Sequence, residues 1–216
     1  MAEITAALVK ELRDRTGAGM MDCKKALVEA DGHMEKAIEV LQKKSLASAA
    51  KRADKVAAEG QIMAYVHGGR IGVLVEINSE TDFVGRSDEL SELAKNVAMH
   101  IAAANPTYLD GSEIPEAVVA KQREIFEAQL AESGKPAAIM GKILDGKIAK
   151  WKSEICLVDQ AYVKDPDKTV GGYVTEVASR IKENIKIRRF VRFELGEGIE
   201  RQTTDFAAEV AAQAGV

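Results

Sequence analysis

A strand pattern followed closely by a long helix pattern limits how this chain can fold more than any other feature. Ile71, Val73, Val75 and Ile77 occupy alternate positions, which is the spacing of a half-buried strand. The alternation stops at Asn78. Apolar residues with helical spacing follow, and end before Asn105-Pro106: Leu90, Leu93, Ala94, Val97, Ile101 and Ala104. The chain must therefore turn from a strand into a helix between residues 78 and 87.

This connection reads EINSETDFVGR over residues 76–86. Ser87 is a suitable helix N-cap and is followed by an acidic first turn, so Thr81–Val84 lies on the corner between strand and helix. Phe83, beside Asp82, has two interpretations. Composition favours a core residue that packs the corner down, whereas a protruding side chain on a loop held by rigid elements would indicate binding.

Helical elements also flank this region. Three short amphipathic helices fall in the first 45 or so residues, and each is too short to be stable alone, so they must pack together as a small domain. An Ala/Lys/Ser-rich stretch at 43–55 suits a solvated helical linker. A helical hairpin is predicted at about 115–155 and a last helix from Thr204 or Asp205.

Two further stretches have strand character. Residues 61–77 form a hairpin pattern around Gly68-Gly69. In residues 185–195, the face expected to be buried carries Ile185, Ile187, Val191, Phe193 and Leu195, with a bulge near Arg189-Phe190. The expected solvated face comprises Lys186, Arg188 and Arg192. The segment 156–163 is predicted as a short strand before a turn at 165–167.

These elements predict an α+β fold. It comprises an N-terminal three-helix bundle, an α+β core with a small antiparallel sheet and a helical hairpin, and a C-terminal helix. The expected domains are residues 1–54 for the N-terminal domain with its helical linker, 55–195 for the core, and 196–216 for a C-terminal module.

Composition excludes several functional classes. The 216 residues are 46% apolar and 30% charged, with a net charge of −4, which argues against a protein that binds nucleic acid by charge alone. No apolar run is long enough to span a membrane, and the N-terminus does not resemble a signal peptide. The sequence therefore predicts a cytoplasmic protein.

Candidate catalytic chemistry is absent from the sequence. Cys23 and Cys156 are expected to be reduced, packed thiols, because neither has a partner at metal-ligand spacing. The glycines of residues 17–19 follow a helix and lack the Gly-Lys-Ser/Thr ending of a phosphate loop. Without a nucleophile, a metal cluster or a nucleotide fingerprint, we expect a binding protein with no cofactor and no metal.

Two segments closely match the signature motifs of a known family. These are LRDRTGAGMMDCKKAL at residues 12–27 and EINSETDFV at residues 76–84, accompanied by FELGEGIE from residue 193. All three resemble bacterial elongation factor Ts in order and separation, and the resemblance covers essentially the whole chain.

The resemblance implies an N-terminal domain like a ubiquitin-associated domain, and guanine nucleotide exchange on elongation factor Tu during translation elongation. The factor would bind the GDP complex of elongation factor Tu, displace Mg²⁺ and promote GDP release, without catalysing a covalent reaction. It implies partner contacts from Arg13, Met20, Met21, Asp82, Phe83 and His100. It further assigns displacement of the partner's Mg²⁺ to Thr81, Asp82, Phe83 and Val84. Contact with nucleic acid or membrane is not expected.

The chain departs from longer family members in two respects. It carries one strand-and-helix unit where they carry two, so a homodimer through the core or the helical hairpin is expected to cover the exposed sheet. Gly85 stands where the family usually has Ala or Ser, and is expected to loosen the corner. The alternative function is a translation-associated adaptor that binds protein through its N-terminal domain and RNA through Lys186, Arg188 and Arg192.

Overall fold

The computed structural model describes residues 4–132 and 137–199. The helices are α1 Ala6–Thr16, α2 Met20–Glu29, α3 Met34–Arg52, α4 Asp82–Gly85, α5 Asp88–Ala104, α6 Glu116–Ala131, α7 Ala137–Ile155 and α8 Val170–Ile181. The strands are β1 Glu59–His67, β2 Ile71–Ser79, β3 Ala161–Tyr162, β4 Asp165–Thr169 and β5 Lys186–Glu194. The predicted α+β fold is confirmed. The predicted final helix, and all of the 196–216 module beyond residue 199, lie outside the described residues.

The N-terminal bundle packs α1, α2 and α3 around a small apolar interior. Thr5 caps α1 by accepting a hydrogen bond from the Leu8 N–H at 3.3 Å, and α1 ends at Gly17, whose φ of +66° suits glycine. The helix α3 continues to Arg52, so the predicted linker is largely the end of the third helix. The buried residues of the bundle are Val9, Leu12, Cys23, Ala26, Leu27, Ala30, Ala37 and Leu41.

The core is built on an antiparallel sheet in the order β1-β2-β5. The predicted hairpin is confirmed, and Gly68 and Gly69 supply the two positive φ angles of its turn, +55° and +68°. Helices α5 and α8 cover one face of this sheet. The face buries Val73, Val75 and Ile77 against Leu90, Leu93, Val97 and Ile101 of α5 and Val170, Val174 and Val177 of α8.

A bulge in β5 changes which of its side chains face the core. Glu76 pairs with Arg189 and Ile77 with Ile187, so Arg188 is the extra residue. Beyond it the faces are exchanged relative to the prediction. Phe193 is exposed, whereas the Arg192 side chain is only 9% exposed and donates to the Ala102 carbonyl at the end of α5.

The exchange of faces corrects two expectations. Val191, Phe193 and Leu195 are exposed rather than buried, because one extra residue inverts an alternation with a period of two. The basic face proposed for RNA loses Arg192, which faces the helices instead of solvent. Lys186 and Arg188 remain exposed, so the RNA-binding alternative keeps two of its three cations.

A buried histidine fastens the small β3-β4 hairpin to α5. His100 is 0% exposed. Its Nδ1 accepts from the Val163 N–H at 3.3 Å, so Nε2 carries the proton and donates to Gln160 Oε1 at 2.9 Å. Within the predicted strand at 156–163, Ala161–Tyr162 is the strand β3, whereas Leu157–Asp159 is a 3-10 turn. The predicted turn at 165–167 belongs to β4.

The predicted helical hairpin is formed by α6 and α7. Leu130, Leu144 and Ile148 form its own small apolar cluster, with Phe126, Met140 and Ile143 packed beside them. Arg123 and Asp145 make an ion pair across the two helices at 3.2 Å. This cluster is separate from the core between the sheet, α5 and α8. None of the helices in the described part of the chain is long and apolar enough to cross a membrane.

Leu93 tests the packing of α5 on the sheet. Its side chain is fully buried, so Leu93→Ala is expected to lower the free energy of unfolding by about 2–5 kcal/mol, from lost burial and the cavity that remains. Urea unfolding measures this. Lys95→Ala, an exposed change on the same helix, should cost less than about 0.5 kcal/mol, and equal costs for the two variants would contradict the assigned core.

His100 predicts a pH dependence of stability. Burial lowers the pKa of His100 from its ordinary value of 6.5, so the unfolded chain takes up the proton at higher pH than the folded chain. Stability from neutral His100 is therefore complete above pH 6.5 and is lost as pH falls towards the folded pKa, by at most about 1.4 kcal/mol per pH unit. Between pH 7.5 and 5.5 in urea unfolding, wild type should lose more stability than His100→Gln. Equal losses would contradict a neutral buried imidazole.

Candidate partner-binding surface

The corner after β2 is the single helical turn α4. Thr81 caps it by accepting a hydrogen bond from the Val84 N–H at 3.3 Å. Val84 is only 7% exposed and packs the corner down, whereas Phe83 is 83% exposed. Asp82 is also exposed and pairs with Arg86 at 3.2 Å. Of the two interpretations of Phe83, the structure therefore supports the protruding side chain.

Hydrogen bonds from a distant segment hold the corner in place. The Glu183 carboxylate accepts from the backbone N–H groups of Glu80 and Thr81, both at 3.1 Å, and from the Thr81 hydroxyl at 2.6 Å. In return, the Glu80 carboxylate accepts from the Asn184 N–H at 2.7 Å. We call Glu80, Thr81, Glu183 and Asn184 the corner clasp.

The corner clasp also reaches the segment that leaves the N-terminal bundle. Lys55 donates to the Glu80 carboxylate at 2.6 Å, and this hydrogen bond is the main cause of the lowered pKa of Glu80. The Asn184 side-chain amide donates to the carbonyl groups of Ala53 and Lys55, at 3.3 and 2.7 Å. The corner, the α8-β5 loop and the end of the bundle are thus joined by hydrogen bonds.

Gly85 is a close-packing position. A Cβ placed on it would lie 3.1 Å from the nitrogen and oxygen of Gly60 and 3.2 Å from its Cα, so the two backbones are in tight contact. Gly60 itself has a φ of +132° and no room for a side chain beside Ile77. Gly85 is buried, and this contact opposes the loosening of the corner that was expected from its missing side chain.

The N-terminal bundle presents a second exposed group around the turn from α1 to α2. Met20 and Met21 are 46% and 65% exposed, and Arg13 is exposed near the end of α1. Gly19 occupies the N-cap position of α2, so the helix begins at Met20 without a side-chain cap. Adjacent exposed methionines form a flexible apolar surface that can adapt to a partner.

His100 does not share in either exposed group. Its two ring nitrogens are hydrogen-bonded to Gln160 and Val163, and its ring lies 6.1 Å from that of Tyr162. A direct contact between His100 and a partner would require β3 and the segment at Val163 to move. The predicted contact stays a prediction.

The sheet face opposite α5 and α8 is exposed and largely apolar. Rows of paired residues cross it: Ala64 with Leu74 and Val191, and Val66 with Gly72 and Phe193. Glu76 and Arg189 form an ion pair on the same face at 2.7 Å. An antiparallel sheet face in water is normally polar, so this face has the composition of a contact surface.

Sequence reasoning located the corner but missed what holds it. Glu183 and Asn184 lie more than 100 residues from Glu80 in the chain, and no local pattern connects them. The apolar sheet face was missed because Val191, Phe193 and Leu195 were expected on the buried face despite the predicted bulge, whereas one extra residue reverses the side chains that follow it. Among the described residues, no group of three or more His, Cys, Asp or Glu side chains could hold a metal ion.

Comparisons with known proteins agree with this architecture and its motifs. The family model described as Elongation factor TS matches residues 3–197. The chain is 57% identical over 210 residues to elongation factor Ts of Carboxydothermus hydrogenoformans, covering 97% of both chains. It is 55% identical over 210 residues to that of Alkaliphilus metalliredigens, covering 97% of this chain and 98% of the relative. With elongation factor Ts of Geobacter sulfurreducens, identity is 54% over 214 residues and 99% of each chain. The chain belongs to the elongation factor Ts family.

Proposed function

We propose that this chain is the guanine nucleotide exchange factor for elongation factor Tu in translation elongation, and that Phe83 is the residue that forces the exchange. It acts by binding and not as a classical enzyme. The observation that carries the proposal is the 83% exposure of Phe83 on a turn fixed by the corner clasp. Translation elongation is a cytoplasmic process, and we infer that compartment for the chain.

Phe83 suits the role of a wedge. An aromatic ring brings a large apolar area to an interface and has only two side-chain torsions to order. Because Val84 beneath it is buried, the turn rests on the core and resists being pushed back. Pressing between elements beside the nucleotide site of the partner, Phe83 would favour a conformation of elongation factor Tu that holds GDP poorly.

We propose that Phe83 weakens GDP binding by displacing the Mg²⁺ of the partner. A bound Mg²⁺ is the largest local positive charge facing the phosphates of the nucleotide. Displacing it leaves those phosphates without that charge, so GDP is held less tightly. We assign this displacement to Thr81, Asp82, Phe83 and Val84, which act from outside the metal site and need no metal of their own.

The N-terminal bundle supplies a separate docking contact. We propose that Arg13, Met20 and Met21 bind a helix of the GTPase domain of elongation factor Tu. The methionines provide adaptable apolar area, and Arg13 adds a charged contact beside them. This contact would hold the chain on its partner while Phe83 acts elsewhere, so the two groups should affect different steps.

His100 takes an indirect place in this proposal. The family resemblance puts it near the phosphate-binding region of the partner, but its side chain is completely buried here. We propose that it supports the β3-β4 hairpin in the free protein, and reaches the partner only if that hairpin is displaced on binding.

Release of a fluorescent GDP analogue from elongation factor Tu tests the function. Wild type should accelerate release, and Phe83→Ala should reduce the maximal rate by about 30-fold, the loss expected when an interface residue worth about 2 kcal/mol is truncated. Met20→Ala should instead raise the concentration needed for half-maximal effect.

Val28→Ala is the matched control, because it removes an exposed apolar side chain from α2 and should leave both quantities unchanged. Unchanged GDP release with wild type would end the exchange-factor proposal. A Phe83→Ala variant as fast as wild type would remove Phe83 from its central role.

We further propose that a second copy of the chain covers the apolar sheet face. The described residues contain one core unit, where longer relatives are expected to have two. Glu76 and Arg189 are paired within the face, so this pair adds no like-charge repulsion when two identical faces meet about a two-fold axis. The exposed cations Lys186 and Arg188 lie at the start of β5, away from the apolar rows at Val191 and Phe193. Two such faces would pack as a sandwich of sheets.

Sedimentation equilibrium tests the dimer. At micromolar concentration the mass should be twice the 23.3 kDa of one chain, and Phe193→Asp should shift it to the monomer by burying an unpaired charge. Val28→Asp places the same charge on an exposed apolar site outside the sheet and should leave the dimer intact. A monomeric wild type would contradict this proposal.

A further inference from the structure

The Thr81 hydroxyl takes part in two hydrogen bonds, one to Glu183 and one that caps α4. The Thr81 hydroxyl has a single proton, which it gives to Glu183 Oε1 at 2.6 Å. Its lone pairs are then free to accept the Val84 N–H, the bond that caps α4. Glu183 therefore sets the orientation of the hydroxyl that begins the turn carrying Phe83.

Glu183 is matched to this task by its chemistry. A carboxylate only accepts hydrogen bonds, and each of its three partners at the corner is a donor: two backbone N–H groups and one hydroxyl. Hydrogen bonds to a charged group are shorter and stronger than neutral ones. An amide at position 183 would present an NH₂ group to some of these donors.

The position of Glu183 links the corner to the rest of the molecule. It follows the C-cap of α8, Lys182, which has a φ of +65°, and precedes Asn184, which bonds to the segment leaving the N-terminal bundle. The corner is thereby held against two elements that are far from it in the sequence, and its orientation does not depend on β2 and α5 alone.

We propose that Glu183 is a positioning residue for nucleotide exchange, holding Phe83 in its binding orientation before the partner arrives. The proposal rests on the proposed exchange function. A chain whose corner is ordered only part of the time binds more weakly by that fraction. Loss of Glu183 should therefore weaken productive binding, and leave the maximal rate intact once the partner has ordered the corner.

Hydrogen exchange of the free protein, followed by NMR, tests the ordering of the corner. The Gly85 N–H bonds to the Thr81 carbonyl at 3.0 Å and does not touch Glu183. In Glu183→Ala and Thr81→Val it should lose almost all of its protection and exchange near the rate of an unstructured amide, because a corner that is ordered only about one-tenth of the time is open for the rest. Thr81→Ser keeps the hydroxyl and should retain wild-type protection. Unchanged protection in Glu183→Ala would overturn the proposal.

GDP release from elongation factor Tu, measured over a range of chain concentrations, tests the consequence. Glu183→Ala should raise the half-maximal concentration about 10-fold, as expected if one corner in ten is ordered, with an unchanged plateau. For Glu183→Gln, the half-maximal concentration should lie between those of wild type and Glu183→Ala. Combining Glu183→Ala with Thr81→Val should raise it by less than the product of the two single effects, because both variants lose the bond between the Thr81 hydroxyl and Glu183. Thr81→Val additionally removes the cap on Val84.

Two controls separate positioning from general stability. Glu92→Ala removes an exposed carboxylate on α5 and should change nothing. Leu93→Ala lowers global stability and, at a temperature where it is fully folded, should leave the half-maximal concentration near the wild-type value.

A Glu183→Ala variant with a wild-type half-maximal concentration would overturn the proposal. If wild type itself did not accelerate release, the exchange function would fail, while Gly85 protection would still decide whether Glu183 orders the corner.

Discussion

The packing of α5 against the three-stranded sheet is the constraint on which the other features depend. Strand β2 and helix α5 are consecutive except for the corner, and each buries one apolar face against the other. Because both sides of the contact are fully buried, neither element can shift without exposing apolar surface. The eight residues between them, 80–87, are therefore held at both ends. Val84 is buried beneath the turn, which leaves Phe83 to point outward.

Local sequence patterns predicted the helices and strands well, but they could not predict contacts between residues far apart in the chain. The alternation of Val73, Val75 and Ile77 and the cap at Ser87 are local signals, and both are confirmed. The inverted face of β5 was predicted wrongly because a single bulged residue, Arg188, reverses every side chain after it. Glu183 was missed because its partners are about 100 residues away.

The residues of the candidate site were also predicted only in part. Motif resemblance selected Phe83 and Met20, and the structure finds both exposed. It also selected His100, which is completely buried. No sequence pattern distinguishes a core histidine from one that contacts a partner. The stiffness of the corner depends on backbone contact between Gly60 and Gly85 and on the corner clasp, neither of which is visible until the chain is folded.

Exchange by binding requires that the chain and GDP weaken each other on elongation factor Tu by the same factor. The most direct measurement is the affinity of the chain for elongation factor Tu without nucleotide and with saturating GDP. If Phe83 and the corner favour a conformation that holds GDP poorly, the affinity must be lower with GDP, by the same ratio as the chain lowers the affinity for GDP. Equal affinities in the two conditions would contradict the account, because a ligand that binds both states equally shifts neither.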